Sequence, residues 1–497
     1  MRLNIVIGGK AGQGPNVLAN ILGDMIVKNG HYVFSSRDYG SVIRGGHNFN
    51  ALTVLDEPVH SNDSKIDILV ALDNKTEDIH KSNLNKNAVI LKGSDKNMYY
   101  AGRLIKLLGM DFKFLEDELK KLRNFEENLK DAKKGYSDEK QNKIKLNNKE
   151  SDNSFTTGTQ GIAEGAIKSG LDVYYAYPMT PATPLLFELA PKQVENNILA
   201  LELLENEIAV INAAAGSALT GAKSMIGTSG GGFDLMTEAL SMAGMVEIPL
   251  VIYLAQRPGP STGVPTYTGQ GDLDAARHSG HGEFSRLVVA PGDPLEAAEL
   301  TSQCFYFSQK FKMPCIIISD KHLAESFYTM QGKPKLAKSE KTTMLKRYNS
   351  YEHNEAGEMV ETSKDINKAV EARLKKAEEI KKEAEKFEMF KIYGKKDSKN
   401  IIVSWGSAKG AILDAIKDKD AKFLQVLYIE PFSKGIKAEL EKAENVIVVE
   451  NNATAQLASL IKEKTCVFVK DKNKILRYDG RPFFHDELKE EIERRIK

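Results

Sequence analysis

Residues 249–263, PLVIYLAQRPGPSTG, join a continuous apolar run directly to a loop that is rich in proline and glycine. An apolar run bounded by turn residues is typical of a strand that is buried on both faces of a parallel sheet. Further runs of this kind alternate with helical patterns from Gly158 onward, at residues 172–176, 223–228, 286–290 and 314–319. Residues 156–334 are therefore predicted to form an α/β domain around a parallel sheet.

Two smaller α/β domains are predicted, one on each side of this domain. In residues 1–111, an apolar run at 3–7 leads into the turn Gly8-Gly9-Lys10-Ala11-Gly12-Gln13-Gly14, and Pro15 then occupies a favourable first helical position. In residues 397–497, strands are predicted at 400–404, 426–429 and 445–450. The fold class is thus α/β with three domains.

Two charged stretches separate these domains. Residues 112–155 are dominated by Lys, Glu, Asp and Asn, and they are expected to form a solvated helix that runs into a flexible linker. Residues 335–396 include ARLKKAEEIKKEAEKF, whose opposite charges at i,i+4 suit an exposed helix. This second stretch is expected to be a helical connector packed on a neighbouring domain.

The composition narrows the class of protein. The 497 residues contain 69 lysines and arginines and 68 aspartates and glutamates, a balance that provides no overall field for nucleic acid or anionic lipid. The three cysteines, Cys304, Cys315 and Cys466, form no C-x-x-C motif, which argues against a self-contained iron–sulfur or zinc site. No leader and no apolar run of about 18 residues is evident, so a cytoplasmic protein is expected.

Ligands of open α/β sheets bind beyond the carboxyl ends of the strands, so the loops after the predicted strands are the candidate site. Three prolines stiffen the loop that starts at Tyr177 and carries Thr180. Arg257 follows the strand at 249–255 among several hydroxyl groups, which favours a fixed fork for a carboxylate over an ordinary ion pair. Glu205 and Glu207 precede an alanine-rich helix, where a favourable interaction with the helix dipole explains an acidic residue equally well.

Several motifs together resemble the 2-oxoacid:ferredoxin oxidoreductases. YPMTPATP at 177–184, ELLENEIAVINAAAGSALTGAK from residue 202, QRPGPSTGVPTYTGQGDL at 256–273 and HSGHGEF at 278–284 resemble their pyrimidine-binding domain. The N-terminal glycine turn with RDYGSVIRGGHNFNALTVLDEPVHS at 37–61 resembles their gamma domain. IIVSWGSAKGAI, LYIEPF, VVENNATAQLASLI and RYDGRPF in the last hundred residues are similar to their transketolase-C-terminal-like domain. This gamma-then-alpha order is typical of the 2-oxoglutarate type.

The resemblance implies a thiamine diphosphate enzyme that converts a 2-oxoacid and coenzyme A into acyl-CoA and CO2 with reduction of ferredoxin. Its catalytic carboxylate, which pairs with N1′ of the cofactor pyrimidine, maps to Glu207, with Glu205 as the second choice. The groups that bind the substrate carboxylate map to Thr180, Arg257 and Thr266. The groups expected to line the cofactor are Tyr177, Pro178, Thr228, Ser229 and Gly230. Coenzyme A or another phosphate is expected at Gly9, Gly12 and Gly14, because backbone N–H groups at a helix start favour phosphate.

The chain is expected to need a partner. The Gly-Asp-Gly motif of a Mg2+-diphosphate site is interrupted at Gly271-Asp272-Leu273 and at Gly292-Asp293-Pro294. A beta subunit is therefore expected to supply the Mg2+ site and an iron–sulfur cluster, in a heterodimer or a dimer of heterodimers that reduces ferredoxin. No metal is assigned to this chain, since His278 and His281 in HSGHGE are more often structural groups.

Some alternatives stay open. The substrate is predicted to be 2-oxoglutarate, but pyruvate and branched-chain 2-oxoacids are also compatible with the motifs. An NAD-dependent dehydrogenase is the less favoured enzyme, because the glycines at 9, 12 and 14 do not follow the G-x-G-x-x-G spacing. A non-enzymatic scaffold subunit is the remaining alternative, and it would be favoured if Glu207 or Arg257 lay far from any cleft.

Overall fold

The computed structural model describes residues 2–40, 46–94, 96–141, 144, 146, 151–195, 200–342 and 349–496. In chain order, the strands of these residues are β1 Leu3–Lys10, β2 Tyr32–Tyr39, β3 His47–Leu55, β4 Ile66–Ala71, β5 Leu84–Leu91, β6 Ser154–Thr157, β7 Val173–Ala176, β8 Ala200–Leu203, β9 Ser224–Thr228, β10 Leu250–Gln256, β11 Leu287–Val289, β12 Pro314–Asp320, β13 Phe327–Met330, β14 Phe390–Gly394, β15 Asn400–Trp405, β16 Lys422–Val426, β17 Tyr428–Glu430, β18 Asn445–Glu450 and β19 Lys474–Leu476.

The helices of the same residues, also in chain order, are α1 Pro15–Lys28, α2 Asn74–His80, α3 Asn97–Leu107, α4 Phe112–Leu119, α5 Phe125–Asp138, α6 Gly158–Lys168, α7 Thr183–Leu189, α8 Lys192–Glu195, α9 Glu207–Leu219, α10 Gly230–Leu235, α11 Thr237–Met245, α12 Leu273–His278, α13 Pro294–Phe311, α14 Lys321–Glu325, α15 Ser363–Ala384, α16 Ala408–Ile416, α17 Lys434–Glu441, α18 Gln456–Thr465 and α19 His485–Glu493. The predicted α/β fold class is confirmed. None of these helices is long and apolar enough to span a membrane.

The chain forms two compact units. The first comprises residues 1–157, 326–332 and 483–490, and the second comprises residues 158–325, 333–482 and 491–497. The first unit contains one sheet, in the order β5-β4-β1-β3-β2-β13-β6, and the second contains two.

The first unit is built on the predicted strand, glycine turn and helix, and this prediction is confirmed. β1 pairs in parallel with β4 and antiparallel with β3, and α1 begins at Pro15 as the sequence predicts. The apolar side chains of α1 are buried in the core of this unit together with those of β1 and α3. Residues 41–45 of the motif at 37–61 lie outside the described residues.

The sequence predicts a solvated helix and a flexible linker for the first charged stretch, residues 112–155, but part of this stretch is packed on the first unit. Residues 112–138 form the helices α4 and α5, and Leu115, Leu119 and Ala132 are fully buried in the core of the first unit. Close crossing of α3 and α5 explains this docking, because a β-carbon at Gly102 would overlap the carbonyl oxygen of Ala132. Because α3 and α5 cross with their backbones in contact, they bury surface that the many charged residues of α5 would lead one to expect in solvent.

The parallel sheet predicted for the middle of the chain lies in the second unit. Its strand order is β17-β11-β12-β10-β9-β7-β8. β10 is buried along its whole length and pairs in parallel with β9 and β12, as expected of a central strand with both faces covered. The strands β7, β9 and β10 end at one edge, since Ala176 pairs with Gly227 and Leu254 pairs with Thr228.

The third sheet has the order β14-β16-β15-β18-β19. The strand predicted at 426–429 is two strands, because the chain leaves the third sheet after Val426 and β17 then joins the edge of the second sheet. β17 pairs antiparallel with β11, through Tyr428 with Val289 and Glu430 with Val288. This chain segment thus passes from one sheet to the other, and the two sheets also share one hydrophobic core.

The second charged stretch contains the predicted helix. α15 buries Ile380 and Ala384 in the core beside the parallel sheet, and its charged side chains reach neighbouring groups. Arg373 donates two hydrogen bonds to the carboxylate of Glu352, at 2.9 and 2.8 Å. The end of the stretch adds a strand that was not predicted, β14, which pairs antiparallel with β16.

Candidate functional site

Helix α9 places a buried carboxyl group at the edge where β7, β9 and β10 end. Asn206 caps this helix, since its side-chain oxygen accepts a hydrogen bond from the N–H of Ala209 at 2.9 Å. Glu207 is the first helical residue and is only 3% exposed, whereas Glu205 is exposed. The Oε1 atom of Glu207 is buried and accepts no hydrogen bond from the described residues. Such an orphan oxygen is costly unless a ligand supplies the donor.

The turn after β9 packs directly against this carboxyl group. A β-carbon at Gly232 would stand 2.7 Å from Oε1 of Glu207 and would also overlap the hydroxyl of Thr228. Thr228 and Ser229 are fully buried, and the hydroxyl of Ser229 also has no hydrogen-bond partner among the described residues. The glycine at 232 therefore leaves room for polar atoms that converge at one place.

Arg257 follows β10 and reaches the loop after β7. Its Nη1 atom donates a hydrogen bond to the carbonyl oxygen of Thr180 at 2.6 Å. Burial lowers the pKa of Arg257, and the charge of Asp272 offsets part of that effect. The family resemblance assigns Thr180 and Arg257 to the substrate carboxylate; the contact that forms between these two residues uses the Thr180 carbonyl.

The other predicted site residues are distributed along the same loops. Tyr177 is 40% exposed and Pro178 is exposed, both directly after β7. Thr266 is buried in the loop that begins with Arg257, but no hydrogen bond joins its hydroxyl to Arg257 or Thr180 within the described chain. The structure thus joins Arg257 to Thr180 and brings Glu207 to the Thr228–Gly232 turn.

The sequence reasoning missed Asp272, which was considered only as part of an interrupted metal motif. A β-carbon at Gly230 would stand 2.6 Å from Oδ2 of Asp272, and this oxygen is buried without a hydrogen-bond partner among the described residues. Burial raises the pKa of Asp272 to about 6, repulsion from Asp234 adds to the shift, and Arg257 opposes it. An acidic residue just beyond a proline- and glycine-rich loop was the signal available.

The C-terminal part of the second unit holds the loop that carries Asp272. Gln270 donates its backbone N–H to the carbonyl of Asn451 at 2.8 Å, and its side chain bonds to Asp320 at 3.0 Å. The side chain of Gln456 accepts from the N–H of Leu273 at 3.0 Å and donates to the carbonyl of Gly271 at 2.8 Å. The motif at 448–461 therefore positions a loop of the candidate site, a role that local sequence could not reveal.

The glycine turn predicted to bind phosphate belongs to the first unit. Gly12 and Gly14 have positive φ angles of 91° and 77°, which favour glycine. A β-carbon at Gly9 would stand 2.8 Å from Oε1 of Gln13, and that oxygen accepts a hydrogen bond from the N–H of Lys10 at 2.7 Å. The turn is thus held in shape by Gln13 at the start of α1.

No group of three or more histidine, cysteine, aspartate or glutamate side chains is arranged to hold a metal ion in the part of the chain that the structure describes. His278, His281 and Glu283 are all exposed. The backbone carbonyl of His281 accepts a hydrogen bond from the Ser241 hydroxyl at 2.7 Å.

Comparison with known proteins identifies the family. The family model described as "Pyruvate flavodoxin/ferredoxin oxidoreductase, thiamine diP-bdg" matches residues 164–391, and the one described as "Pyruvate ferredoxin/flavodoxin oxidoreductase" matches residues 4–125. The 2-oxoacid:ferredoxin oxidoreductase subunit alpha of a Sulfolobus species is 31% identical over 621 aligned positions, which cover 100% of this chain and 97% of the relative. The 2-oxoglutarate synthase subunit KorA of Archaeoglobus fulgidus is 30% identical over 63% of this chain and 92% of its own length.

A solved structure has the same fold. The 2-oxoglutarate:ferredoxin oxidoreductase from Magnetococcus marinus, determined with 2-oxoglutarate, coenzyme A and succinyl-CoA bound, superposes with a TM-score of 0.88 at 22% identity, over 100% of both chains. The full-length match to the Sulfolobus subunit and the two family models agree with the motifs described above. The chain therefore belongs to the family of 2-oxoacid:ferredoxin oxidoreductase alpha subunits.

Proposed function

We propose that this chain binds the pyrimidine half of thiamine diphosphate and the carboxylate of a 2-oxoacid, in an enzyme that forms acyl-CoA and CO2 and reduces ferredoxin. The observation that carries this proposal is the buried carboxyl group of Glu207, whose Oε1 atom lacks a partner beside the Thr228–Gly232 turn. A donor from a ligand would satisfy that oxygen, and the protonated N1′ of an aminopyrimidine is such a donor.

The residues present fit thiamine diphosphate. Gly232 lets the Glu207 carboxyl lie directly against the turn, and Ser229 offers a second buried polar atom without a partner among the described residues. Tyr177 and Pro178 would border the pyrimidine from the loop after β7. When bound, the cofactor supplies the electron sink that decarboxylation of a 2-oxoacid needs.

The protein groups would bind, orient and hold protons around that cofactor. Glu207 would hold the pyrimidine at N1′ by a charge-assisted hydrogen bond, which favours the tautomer with a basic 4′ nitrogen. Arg257 would bind the C1 carboxylate of the substrate, with Thr180 and Thr266 beside it. Fixing that carboxylate removes much of the orientational entropy from the reaction barrier.

A beta subunit is proposed to supply the Mg2+-diphosphate site and the iron–sulfur cluster. Cys304 and Cys315 interact with each other in the interior, whereas Cys466 is exposed. Two buried thiols do not provide the four cysteine ligands that iron–sulfur clusters usually have. The elements around the candidate site also expose large apolar side chains, which suits a docking surface for that subunit. These side chains are Tyr177, Phe187, Leu203, Ile208, Leu235 and Val264.

The proposed substrate is 2-oxoglutarate and the proposed cosubstrate is coenzyme A. Support for 2-oxoglutarate comes from the names of KorA relatives and from the gamma-then-alpha order of the motifs. Coenzyme A is proposed to place a phosphate at the turn of Gly9, Gly12 and Gly14, where the N-terminus of α1 offers backbone N–H groups. Pyruvate and branched-chain 2-oxoacids remain the alternative substrates.

The test is anaerobic co-production of this chain with its beta subunit, followed by assays with 2-oxoglutarate, pyruvate and a branched-chain 2-oxoacid. We expect ferredoxin reduction and CO2 release that need both the 2-oxoacid and coenzyme A, with the highest kcat/KM for 2-oxoglutarate. Reduction of NAD without ferredoxin would instead identify a dehydrogenase. Absence of any turnover by the assembled complex would favour a scaffold subunit.

A further inference from the structure

Two carboxyl groups border the turn of Gly230, Gly231 and Gly232, and the proposed function uses only one of them. Glu207 lies against Gly232, and Asp272 lies against Gly230. Each carboxyl has one buried oxygen without a hydrogen-bond partner among the described residues. The second carboxyl group therefore also has an oxygen whose hydrogen-bonding capacity a ligand could satisfy.

Asp272 is held firmly in this position. Its own N–H donates to Oε1 of Gln256 at 2.8 Å, and Nε2 of the same side chain donates to the carbonyl oxygen of Ser319 at 3.0 Å. On the other side, the Gln456 side chain donates to the carbonyl oxygen of Gly271 at 2.8 Å and accepts from the N–H of Leu273 at 3.0 Å. Hydrogen bonds thus hold the backbone on both sides of Asp272, and its carboxyl group lies against Gly230.

The charged groups that face Asp272 have opposite signs. Asp234, which is exposed on α10, disfavours ionisation of Asp272, and Arg257 favours it. Burial has the largest effect on the pKa of Asp272. Burial and these two charges together bring that pKa to about 6. The protonated form of this side chain is therefore accessible near neutral pH.

The charges of Arg257 and Asp272 act on each other, so a substrate carboxylate on Arg257 would add a second negative charge that Asp272 also experiences. If Asp272 is ionised, the two like charges repel and binding weakens. If Asp272 is protonated, its O–H can donate to the incoming carboxylate, and such charge-assisted hydrogen bonds are among the stronger ones. These charges thus favour binding of the substrate anion together with one proton.

We propose that Asp272 is a second substrate-binding group of this site, which in its protonated form donates a hydrogen bond to the carboxylate that Arg257 binds. The substrate anion and one proton then enter together, and the proton balances the charge of the carboxylate that Arg257 binds. This proposal rests on the proposed function of Arg257 and adds to it a residue with a distinct dependence on pH.

The test compares wild type, Asp272→Asn and Asp234→Asn in the assembled alpha–beta complex between pH 5.5 and 8.5. For wild type, KM for the 2-oxoacid should be constant at low pH and rise roughly tenfold per pH unit well above 6, as proton linkage requires. Asp272→Asn keeps a donor and cannot ionise, so its KM should be independent of pH and below that of wild type at pH 8. Asp234→Asn removes a repulsion, so the rise in KM should begin at a lower pH.

KM for coenzyme A serves as the internal control and should show none of these differences among the three proteins. A second readout does not need turnover. At pH 7.5, adding the 2-oxoacid should produce the infrared carbonyl band of a protonated carboxyl group in wild type and not in Asp272→Asn.

Failure of the proposal for Asp272 can be distinguished from failure of the proposed function. The inference is overturned if Asp272→Asn keeps the pH dependence of the wild-type KM, or if its infrared response equals that of wild type. In both cases wild-type turnover leaves the proposed function intact. If wild type forms no acyl-CoA, the proposed function fails, and the infrared comparison still decides whether Asp272 takes up a proton with the 2-oxoacid.

Discussion

Gly232 lies directly against Glu207, since a β-carbon at position 232 would stand 2.7 Å from Oε1 of the carboxyl group. This contact couples the turn after β9 to the first residue of α9. The carboxyl group can keep its orientation only while position 232 has no side chain. The same turn offers a control, because a β-carbon at Gly231 would meet nothing closer than the carbonyl oxygen of Ser261 at 3.8 Å.

Gly232→Ala should weaken the binding of thiamine diphosphate to the assembled complex. Overpacking a buried position typically costs about 1–3 kcal/mol, and here the strain falls on Glu207 and Thr228. The measurement is the cofactor concentration that gives half-maximal activity, with Gly231→Ala as the matched control. Equal cofactor affinity in the two variants would contradict the assignment of this turn to the cofactor.

Glu207→Gln should leave the complex assembled and remove nearly all turnover, because an amide cannot stabilise a protonated N1′. Loss of a group with this proton role lowers rates by about 10²–10⁴-fold. Hydrogen–deuterium exchange at C2 of the bound cofactor should slow in parallel. Glu205→Gln is the control, since Glu205 is exposed. A loss of turnover confined to that variant would assign the N1′ role to Glu205 and not to Glu207.

Arg257→Lys should raise KM and lower kcat together, because an ammonium group cannot grip both oxygens of a carboxylate. Charge-assisted hydrogen bonds are worth about 1.5–3 kcal/mol, so kcat/KM should fall by about one to two orders of magnitude. A similar loss on 2-oxoglutarate and on a monocarboxylic 2-oxoacid would assign Arg257 to the C1 carboxylate. A loss on the dicarboxylic substrate alone would assign it to the distal carboxylate, and no loss on either would remove Arg257 from the site.

Lys409→Met should destabilise the second unit, because Lys409 pairs with both Asp293 and Glu296 in its interior. Removing one partner of a buried ion pair costs about 3–5 kcal/mol. Lys437→Met, which breaks an exposed pair with Glu441 at 3.7 Å, should cost no more than about 1 kcal/mol. Urea unfolding of the full chain measures both, and equal midpoints would contradict the importance of the buried pair.

The same pair predicts how stability depends on pH. Burial of Glu296 opposes its ionisation, but Lys409 and Lys391 lower its pKa from 4.5 to about 2. A carboxyl group with a lowered pKa contributes stability that is fully present above its unfolded pKa and is lost as pH falls toward its folded pKa. The stability difference between wild type and Lys409→Met should therefore shrink between pH 4.5 and pH 2.

The sequence predicted those features that local patterns determine. The run around β10 predicts a buried central strand because both faces are apolar, and Pro15 predicts where α1 begins. It did not predict the docking of α4 and α5, because the close crossing at Gly102 is a tertiary contact that the charged surface of these helices conceals.

The candidate site could likewise be predicted only in part from the sequence. Motifs led to Glu207 and Arg257, and burial distinguishes Glu207, the first residue of α9, from the exposed Glu205 two positions before it. Asp272 escaped prediction because its environment comes from Gly230, Asp234 and Arg257, which are distant in sequence. The contact of Arg257 with the Thr180 carbonyl likewise depends on how two loops meet. From the residue types alone, the hydroxyl of Thr180 is as good a partner for Arg257 as its carbonyl oxygen.

The short strand β17 has a consequence for how the chain can be divided. It covers the edge of β11, so a fragment that ended before Tyr428 would present unpaired N–H and C=O groups along that edge. Such an exposed edge is a template for pairing with other copies. A fragment of residues 156–334 should therefore aggregate when it is produced alone, whereas one that extends through Glu430 and the rest of the third sheet should stay dispersed.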